Sequence, residues 1–369
     1  MAKIIKATKK ACTSSASNCK YHFKNLVFEG GGVKGIAYVG VMEKLDERGI
    51  LQNIERVAGT SAGAMVAVLV GLGYTPKEVS EILWDINFQN FMDSSWGYMR
   101  DTKRFIEDFG WYKGDFFRDL MAGYIQKKTG SKETTFGQLK TMIAKGRPFR
   151  DIHLIGADIS TGYSKVFNSE NTPDVKIADA ARISMSIPLF FAAVKGVNGD
   201  GHVYVDGGLL DNFAIKVFDR MNYVYEEVNA RRTDYYKKYN DALAALNNTF
   251  RGVKKINEYV YNKETLGFRL DAREEISMFL DSNAEPTVRE IKTLFSYTKA
   301  LVTTLIDFQN NVHLHNDDWQ RTIYIDSLGV SSTDFDIPET TKKKLVEAGR
   351  VFTDAYFEWY DNDEEKANK

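Results

Sequence analysis

The sequence predicts an α/β protein built on a mostly parallel sheet, because it contains two successive strand–turn–helix units. Residues 25–29 form a short apolar run typical of a strand, and apolar residues then recur at helical spacing over residues 33–48. Residues 54–59 repeat the strand and residues 62–72 repeat the helix. Consecutive units of this kind place parallel strands side by side beneath covering helices, so we expect a parallel α/β sheet covered by helices.

Beyond these two units the chain divides into an arm, one large domain and a tail. Residues 1–23 are rich in Lys, Ser and Thr without an apolar period, which predicts a flexible basic arm. Residues 24–355 form the predicted domain, with helical excursions at about 84–146 and 219–320, and residues 356–369 form a polar C-terminal tail. Further strands are predicted at 153–159, 164–168, 203–205 and 322–326, and further helices from Pro76 onward, at 176–185 and at 340–360.

Composition and the terminal segments argue against several classes of protein. The 49 basic and 50 acidic side chains leave a formal net charge of -1, so we expect no nucleic-acid partner. The longest apolar run, residues 62–73, is much shorter than the roughly 20 residues of a membrane-spanning helix. The basic N-terminus lacks the apolar block of a secretory signal, and both cysteines, Cys12 and Cys19, lie in the arm. We therefore expect a cytoplasmic protein without a disulfide in its core.

A serine nucleophile is indicated by the sequence GTSAG at residues 59–63, between a predicted strand and a predicted helix. In this G-x-S-x-G context a sharp turn presents Ser61, and Gly59 and Gly63 leave space that side chains would fill. The N-terminus of the following helix favours negative charge beside the serine. Such a short pattern also occurs by chance, so the strand–turn–helix context is what favours a catalytic function.

A glycine loop, residues 30–35 (GGGVKG), lies at the corresponding turn of the first unit. Glycines let the backbone approach a ligand closely and direct N–H groups at it, as the oxyanion of an acyl transfer requires. The loop also fits a dinucleotide-binding fingerprint, with Asp46 or Glu55 as the later acid, and a turn needed only for helix packing is a further alternative. Ester hydrolysis needs both a nucleophile and an anion pocket, so the two motifs together favour hydrolysis.

The serine also needs a base, for which histidine and aspartate are the candidates. The residue order of α/β-hydrolases would nominate His313 or His315, but both lie in a polar stretch with no strand end to aim them, and we expect them to be solvated. Asp206 follows a predicted strand and precedes Gly207 and Gly208, which favours a carboxylate fixed at the sheet edge. Asp-Gly is also an ordinary turn dipeptide. The remaining histidines are His22, His153 and His202.

The motifs GGGVKG, GTSAG and DGG, in this order and at these separations, resemble those of the patatin-like phospholipases. Similarity to bacterial-type members continues through residues 71–78, 180–188, 206–212 and 323–335, so the resemblance covers roughly residues 24–352. That family has a three-layer α/β sandwich and a Ser/Asp dyad without histidine or metal. The resemblance implies Ser61 as nucleophile, Asp206 as base and Gly30, Gly31 and Gly32 as oxyanion hole, supported by Lys34, Gly35, Gly59, Gly63, Gly207 and Gly208.

The resemblance further implies a phospholipase A type of serine acyl hydrolase that needs no cofactor and cleaves acyl esters of phospholipids or other glycerolipids. Peripheral membrane contact follows from such a substrate, and the aromatic residues from Trp84 to Phe117 and the basic arm are candidates for it. Phe213-Ala214 stands where many members place a proline, which we expect to leave the chemistry unchanged. Headgroup preference, an activator and a homo-oligomer stay open. The alternatives are a catalytically silent lipid-binding scaffold and a nucleotide-binding protein that uses the glycine loop.

Overall fold

The chain folds around a central, mostly parallel β-sheet flanked by helices, which confirms the predicted fold class. The computed structural model describes residues 20–86, 109–197, 199–249, 257–271, 317–332 and 336–363, together with residues 107 and 334 and isolated positions between 291 and 305.

The strands of the described residues form one sheet of eight strands and two small two-stranded sheets. Their bounds are β1 Asn25–Phe28, β2 Arg56–Thr60, β3 Gly110–Tyr112, β4 Asp151–Asp158, β5 Tyr163–Phe167, β6 Leu189–Phe191, β7 Val194–Lys195, β8 Val203–Asp206, β9 Ala230–Arg231, β10 Tyr261–Asn262, β11 Thr265–Asp271 and β12 Thr322–Asp326.

The order of the main sheet is β12-β11-β1-β2-β4-β8-β7, with β5 also paired to β4. The strands from β12 to β4 run parallel, whereas β5, β7 and β8 pair antiparallel. Because the carboxyl ends of parallel strands share one edge of a sheet, the turns after β1 and β2 lie side by side. The glycine loop and Ser61 follow these two strands.

The helices of the described residues begin with the two predicted by the strand–turn–helix units, the first of which opens as a 3₁₀ helix, Gly32–Ala37. A capping box at Thr75, with Pro76 as the first helical residue, starts the third helix as the sequence predicts. The bounds are α1 Tyr38–Glu47, α2 Ala62–Gly71, α3 Pro76–Asp85, α4 Asp115–Thr129, α5 Phe136–Ala144, α6 Ile177–Ser184, α7 Asp234–Thr249 and α8 Glu339–Asn362.

The two faces of the sheet bury different partners. Side chains alternate along a strand, so Leu26 and Phe28 of β1 join the main core beneath the helices, including α2, which is buried on every side. Val27 and Ala58 face the other way and pack against Phe213, in a cluster completed by Ile215, Phe218 and Tyr223. The second face is thus covered largely by the segment that follows Asp206.

Both predicted ends of the domain were placed too far inward. Tyr21 and Phe23 are buried although they fall in the predicted arm, and α8 continues through Asn362 although a polar tail was predicted from residue 356. The cause is an aromatic cluster that joins the two ends, in which the ring centroids of Tyr21 and Phe357 are 5.0 Å apart and those of Phe23 and Tyr360 are 5.6 Å apart. Residues 1–19, with Cys12 and Cys19, lie outside the described residues.

The predicted excursion at 219–320 was wrong for β11, which lies inside the sheet between β1 and β12. Leu266, Phe268 and Leu270 do alternate as a strand requires. The opposite face carries Arg269 and Asp271, residue types typical of solvent, but here they are buried and paired with each other. Because the charged side chains of β11 are neutralised by a buried ion pair, the sequence pattern does not indicate a central strand.

Among the described helices, none is both long enough and apolar enough to cross a bilayer. Part of the predicted aromatic excursion, with Phe88, Phe91, Trp96, Tyr98 and Phe105, lies outside the described residues.

Candidate active site

Ser61 occupies the sharp turn between β2 and α2, as the G-x-S-x-G motif predicts. Its backbone has φ 52 and ψ -124, a strained conformation that costs a non-glycine residue on the order of 1 to 3 kcal/mol. The residue is the N-cap of α2 and is 6% exposed. The positive end of the helix dipole therefore lies beside the hydroxyl, where it stabilises negative charge.

The flanking glycines permit this turn. A Cβ at Gly63 would lie 2.3 Å from the Phe28 carbonyl oxygen, and a Cβ at Gly59 would lie 2.2 Å from the Gly63 carbonyl oxygen. Both distances are far below van der Waals contact with backbone that has little freedom to move. The two glycines therefore let α2 approach the sheet closely enough to hold Ser61 at its edge.

The register of the sheet brings Asp206 toward Ser61. Thr60 pairs with Ile155 across β2 and β4, and Asp206 pairs with Gly156 across β4 and β8. Ser61 follows Thr60 and so comes level with Gly156, with Asp206 on the other side of the same strand. The strand and turn patterns alone do not predict this proximity, because it depends on β8 joining β4 in the antiparallel sense.

The carboxyl group of Asp206 is buried and only partly satisfied. Its Oδ1 accepts a hydrogen bond from the Gly208 N–H at 2.7 Å, whereas its Oδ2 accepts no hydrogen bond from the described residues. Burial raises the pKa of Asp206 from 3.8 to about 7, against the lowering effects of the Gly208 amide and of the Ser61 hydroxyl. The hydroxyl is thus near the carboxyl group, although its hydrogen bond in this conformation goes to the Met185 sulfur at 3.7 Å.

The end of α6 supports both Ser61 and Asp206. The Ser184 hydroxyl accepts the Ser61 N–H at 3.0 Å and donates to the Ile155 carbonyl at 2.6 Å. The carbonyl of Ser186, two residues on, accepts the Asp206 N–H at 2.8 Å. In the sequence, residues 180–188 show only a similarity to the family and no motif that marks these serines.

The glycine loop lies beside Ser61, and its three glycines differ in what their amides do. Gly30 departs from the predicted oxyanion hole, because its N–H already donates to the Asn212 carbonyl at 3.1 Å. Its lack of a side chain still matters, since a Cβ there would lie 3.0 Å from the Ser61 Cβ. Within the described part of the chain, the N–H groups of Gly31 and Gly32 donate no hydrogen bond.

Neighbouring segments enclose this loop tightly. A Cβ at Gly31 would lie 2.5 Å from the Leu270 Cδ1, and one at Gly32, whose φ is +54, would lie 1.8 Å from the Ser332 carbonyl oxygen. Lys34 donates from Nζ to the Leu270 carbonyl at 3.0 Å, so it ties the loop to the end of β11. Gly35 lets α2 come close, since a Cβ there would lie 3.1 Å from the Ala62 Cβ.

Glu29 and Asn212 form a buried polar connection under the loop that sequence reasoning did not identify. The Glu29 carboxylate accepts the Leu270 N–H at 2.6 Å and the Asn212 Nδ2 at 3.2 Å, and its Oε1 lies 3.8 Å from Nε of Arg269. Burial raises the pKa of Glu29 to about 7, and the Arg269 charge opposes that rise. The signal available in the sequence was a glutamate directly before the glycines, at the buried end of a strand.

The histidines of the described residues have partners away from Ser61. His22 bonds through Nε2 to the Lys263 carbonyl at 2.9 Å, and His202 bonds through Nδ1 to Asp158 at 2.7 Å. His153 is fully buried against Phe218, and burial lowers its pKa to about 4. His313 and His315 lie outside the described residues, so their predicted solvation stays a prediction.

The acids required by the dinucleotide alternative are badly placed for that function. Glu55 is exposed and immediately precedes β2, whereas the glycine loop follows the parallel strand β1, at the opposite edge of the sheet. Asp46 lies near the far end of α1, the helix that continues from the loop. Neither acid is beside the loop where a bound ribose would need it.

The protein therefore has an α/β fold in which the carboxyl-terminal edge of the parallel strands carries a serine at a strand–helix turn. A glycine loop and a buried aspartate lie beside that serine. The family model of the patatin-like phospholipases matches residues 26–219, more than half of the chain, so the chain belongs to that family of lipid hydrolases. The resemblance drawn from the motifs is confirmed.

Two curated proteins and one solved structure are similar to this chain. The uncharacterized protein YqhO of Bacillus subtilis (strain 168) is 28% identical over 341 residues, which are 89% of this chain and 96% of YqhO. The probable lipid hydrolase 463L of Invertebrate iridescent virus 6 is 24% identical over 216 residues, 58% of this chain and 68% of the relative. The crystal structure of VipD from Legionella pneumophila shares the fold, with a TM-score of 0.56 at 15% identity over 91% of this chain and 67% of VipD.

Proposed function

We propose that this protein is a serine acyl hydrolase of the phospholipase A type, with Ser61 as nucleophile and Asp206 as its general base. The observation that carries the proposal is the strained serine at a helix N-terminus together with a buried aspartate whose Oδ2 is unpartnered in the described residues. Unsatisfied buried carboxylate oxygens are costly, so their retention favours a chemical role. Family membership and a relative named as a probable lipid hydrolase support the choice of a lipid ester as substrate.

In the first half of the reaction, the Ser61 hydroxyl turns from the Met185 sulfur toward Oδ2 of Asp206. Its oxygen attacks the ester carbonyl while Asp206 takes the proton, and the carbonyl oxygen becomes a tetrahedral oxyanion. The N–H groups of Gly31 and Gly32 are the proposed donors to this oxyanion, and each such donor contributes on the order of 3 kcal/mol in acyl transfer. Collapse expels the lipid alkoxide, which receives the proton from Asp206.

In the second half, a water molecule gives its proton to Asp206 and attacks the acyl-enzyme. The second oxyanion occupies the same position, and its collapse releases the fatty acid while the proton returns to Ser61. Asp206 is therefore needed as a carboxylate at the start of each half. Its raised pKa makes it a stronger base than an exposed aspartate, yet leaves a substantial ionised fraction at neutral pH.

The substrate is proposed to be a phospholipid or another glycerolipid presented at a membrane surface, so a peripheral contact of this protein with the bilayer accompanies the function. The arm and the aromatic stretch named for that contact lie largely outside the described residues, and the contact stays a prediction.

The test is product analysis by mass spectrometry after incubation with vesicles of a mixed lipid extract. The wild type is expected to release free fatty acids and the matching lysolipids, and Ser61→Ala to release neither. Ser164→Ala, which removes an exposed serine hydroxyl on β5, is the control and should match the wild type. Fatty acid release that persists in Ser61→Ala would refute the assignment.

A further inference from the structure

Asn212 connects the loop after Asp206 to the glycine loop. It forms hydrogen bonds with both the backbone N–H and the backbone carbonyl of Gly30. Its backbone carbonyl accepts the Gly30 N–H at 3.1 Å, and its Nδ2 donates to the Gly30 carbonyl at 3.1 Å. The side chain is buried, with 5% of the residue exposed. Gly30 therefore has little freedom to rotate about its backbone while Asn212 is in place.

This arrangement also sets the direction of the next amide. The Gly30 carbonyl and the Gly31 N–H belong to the same planar trans peptide, so they point in opposite directions. Because Asn212 fixes where the carbonyl points, it aims the Gly31 N–H to the other side. That N–H donates no hydrogen bond within the described residues, and Gly30 itself packs against Ser61.

Glu29 determines the orientation of the Asn212 side-chain amide, that is, which position its nitrogen and its oxygen occupy. The Glu29 Oε1 lies 3.2 Å from the Asn212 Nδ2, and its other oxygen is anchored by the Leu270 N–H at 2.6 Å. A flipped Asn212 amide would set its oxygen against both the Glu29 carboxylate and the Gly30 carbonyl. Only the observed orientation gives both acceptors a donor.

We propose that Asn212 is a positioning residue for the oxyanion donor, which aims the Gly31 N–H at the tetrahedral oxygen without touching the substrate. The inference rests on the proposed acyl hydrolase function. It assigns Glu29 a supporting part, since the carboxylate orients Asn212 rather than the reacting atoms.

The decisive variant is Asn212→Ala, which keeps the backbone carbonyl that accepts the Gly30 N–H and removes both bonds from Nδ2. Hydrolysis of p-nitrophenyl butyrate gives kcat and KM, and titration with a fluorophosphonate counts the reactive serines. We expect kcat per titrated serine to fall about 10- to 100-fold, since outright loss of an oxyanion donor costs about 100-fold or more. KM should change less than about 3-fold, because the bond to the oxyanion forms only in the transition state.

An inhibitor that forms an oxyanion on the enzyme distinguishes a misdirected Gly31 N–H from a general loss of folded protein. An alkyl trifluoromethyl ketone adds reversibly to a serine and yields a hemiketal oxyanion, so its Ki should rise in Asn212→Ala by about the factor lost in kcat/KM. Asn212→Leu keeps roughly the same volume without a donor and should give the same result. This second variant covers the case in which Asn212→Ala does not fold.

Asn229→Ala is the matched control. Asn229 is 7% exposed and donates from Nδ2 to Oε1 of Glu264 at 2.9 Å, but Glu264 precedes β11 and so lies at the opposite edge of the sheet from Ser61. The control should lose stability and keep its kcat per titrated serine. Unchanged kcat and Ki in both Asn212 variants, with an active wild type, would overturn the positioning role, whereas an inert wild type would instead refute the proposed function.

Discussion

At the scale of single residues, the proposed mechanism depends on a carboxyl group that the fold keeps out of water. Asp206 must be ionised to accept a proton, and burial raises its pKa to about 7. Catalysis by such a base is lost as the pH falls through that pKa. We therefore expect kcat/KM of the wild type for a soluble ester to decline below about pH 7, a limb that a pH profile from 5 to 9 would reveal.

Replacing Asp206 by asparagine should abolish that base while keeping its size. We expect kcat to fall by at least about 100-fold, the lower end of what a general base contributes. The measurement is ester hydrolysis at pH 8, where the wild-type carboxylate is ionised. An Asp206→Asn protein with near wild-type kcat would contradict the role of Asp206, and activity lost in a variant of His22 or His202 would point to a different base.

The same substitution should make the protein more stable, because the raised pKa means that the ionised carboxylate of Asp206 destabilises the folded state. Asp206 has a higher pKa folded than unfolded, so between about pH 4 and 7 the folded state binds more protons and its stability falls as the pH rises. Above pH 7 the full cost of burying the carboxylate is present. Asp206→Asn should remove that cost and raise the free energy of unfolding at pH 8 by on the order of 1 kcal/mol or more, as measured by urea denaturation. A change in the free energy of unfolding that is the same at pH 5 and pH 8 would contradict this origin.

At the scale of elements, the strand–turn–helix units were predictable because their chemistry is local. A serine in a strained turn needs glycines next to it, and a run of glycines is recognisable in the sequence itself. The pairing of Ser61 with Asp206 was inferred from family resemblance, since the register that brings them level runs through β4 and β8, which are distant in the chain. The proposed positioning role of Asn212 has no local signal in the sequence, because the contacts of Asn212 with Gly30 span 182 residues.

The close approach of α2 to β1 makes Gly63 intolerant of an added side chain. Gly63→Ala would put a Cβ 2.3 Å from the Phe28 carbonyl oxygen, so we expect loss of several kcal/mol or failure to fold. Gly123→Ala is the matched change in α4, where a Cβ meets nothing within 4 Å, and it should stabilise the protein by about 0.5 to 1 kcal/mol through helix propensity. Urea denaturation of both variants checks the pair, and equal effects would refute the steric explanation.

At the scale of the whole molecule, a buried ion cluster ties the segment after residue 219 to the sheet. Arg321, which precedes β12, donates to both oxygens of Asp219 at 2.6 and 2.7 Å and to Asp318 at 2.6 Å. Tyr236 of α7 donates to Asp219 as well. The predicted exposed excursion is therefore anchored in the core at its first residues, by charged residue types that sequence reasoning assigns to the surface.

Removing the arginine should destabilise the fold without altering the chemistry. Arg321→Met removes the cation that Asp219 and Asp318 share, although Asp318 keeps the Lys216 ammonium at 3.6 Å. We expect a loss of about 3 to 5 kcal/mol in the free energy of unfolding. Lys343→Met breaks the exposed pair with Glu339 and should cost no more than about 0.5 kcal/mol. Denaturation curves compare the two, and kcat per titrated serine should stay unchanged in the folded Arg321 variant. A loss in Arg321→Met as small as in the control would contradict the anchoring role.

The central claim is that Ser61 is the nucleophile, and the most direct measurement is the site of covalent reaction with a fluorophosphonate. After reaction at pH 8 and digestion, peptide mass spectrometry is predicted to find the phosphonyl adduct on Ser61 and none on the intact Ser61→Ala protein. A folded wild type that carries no adduct, or carries it on another residue, would contradict the account.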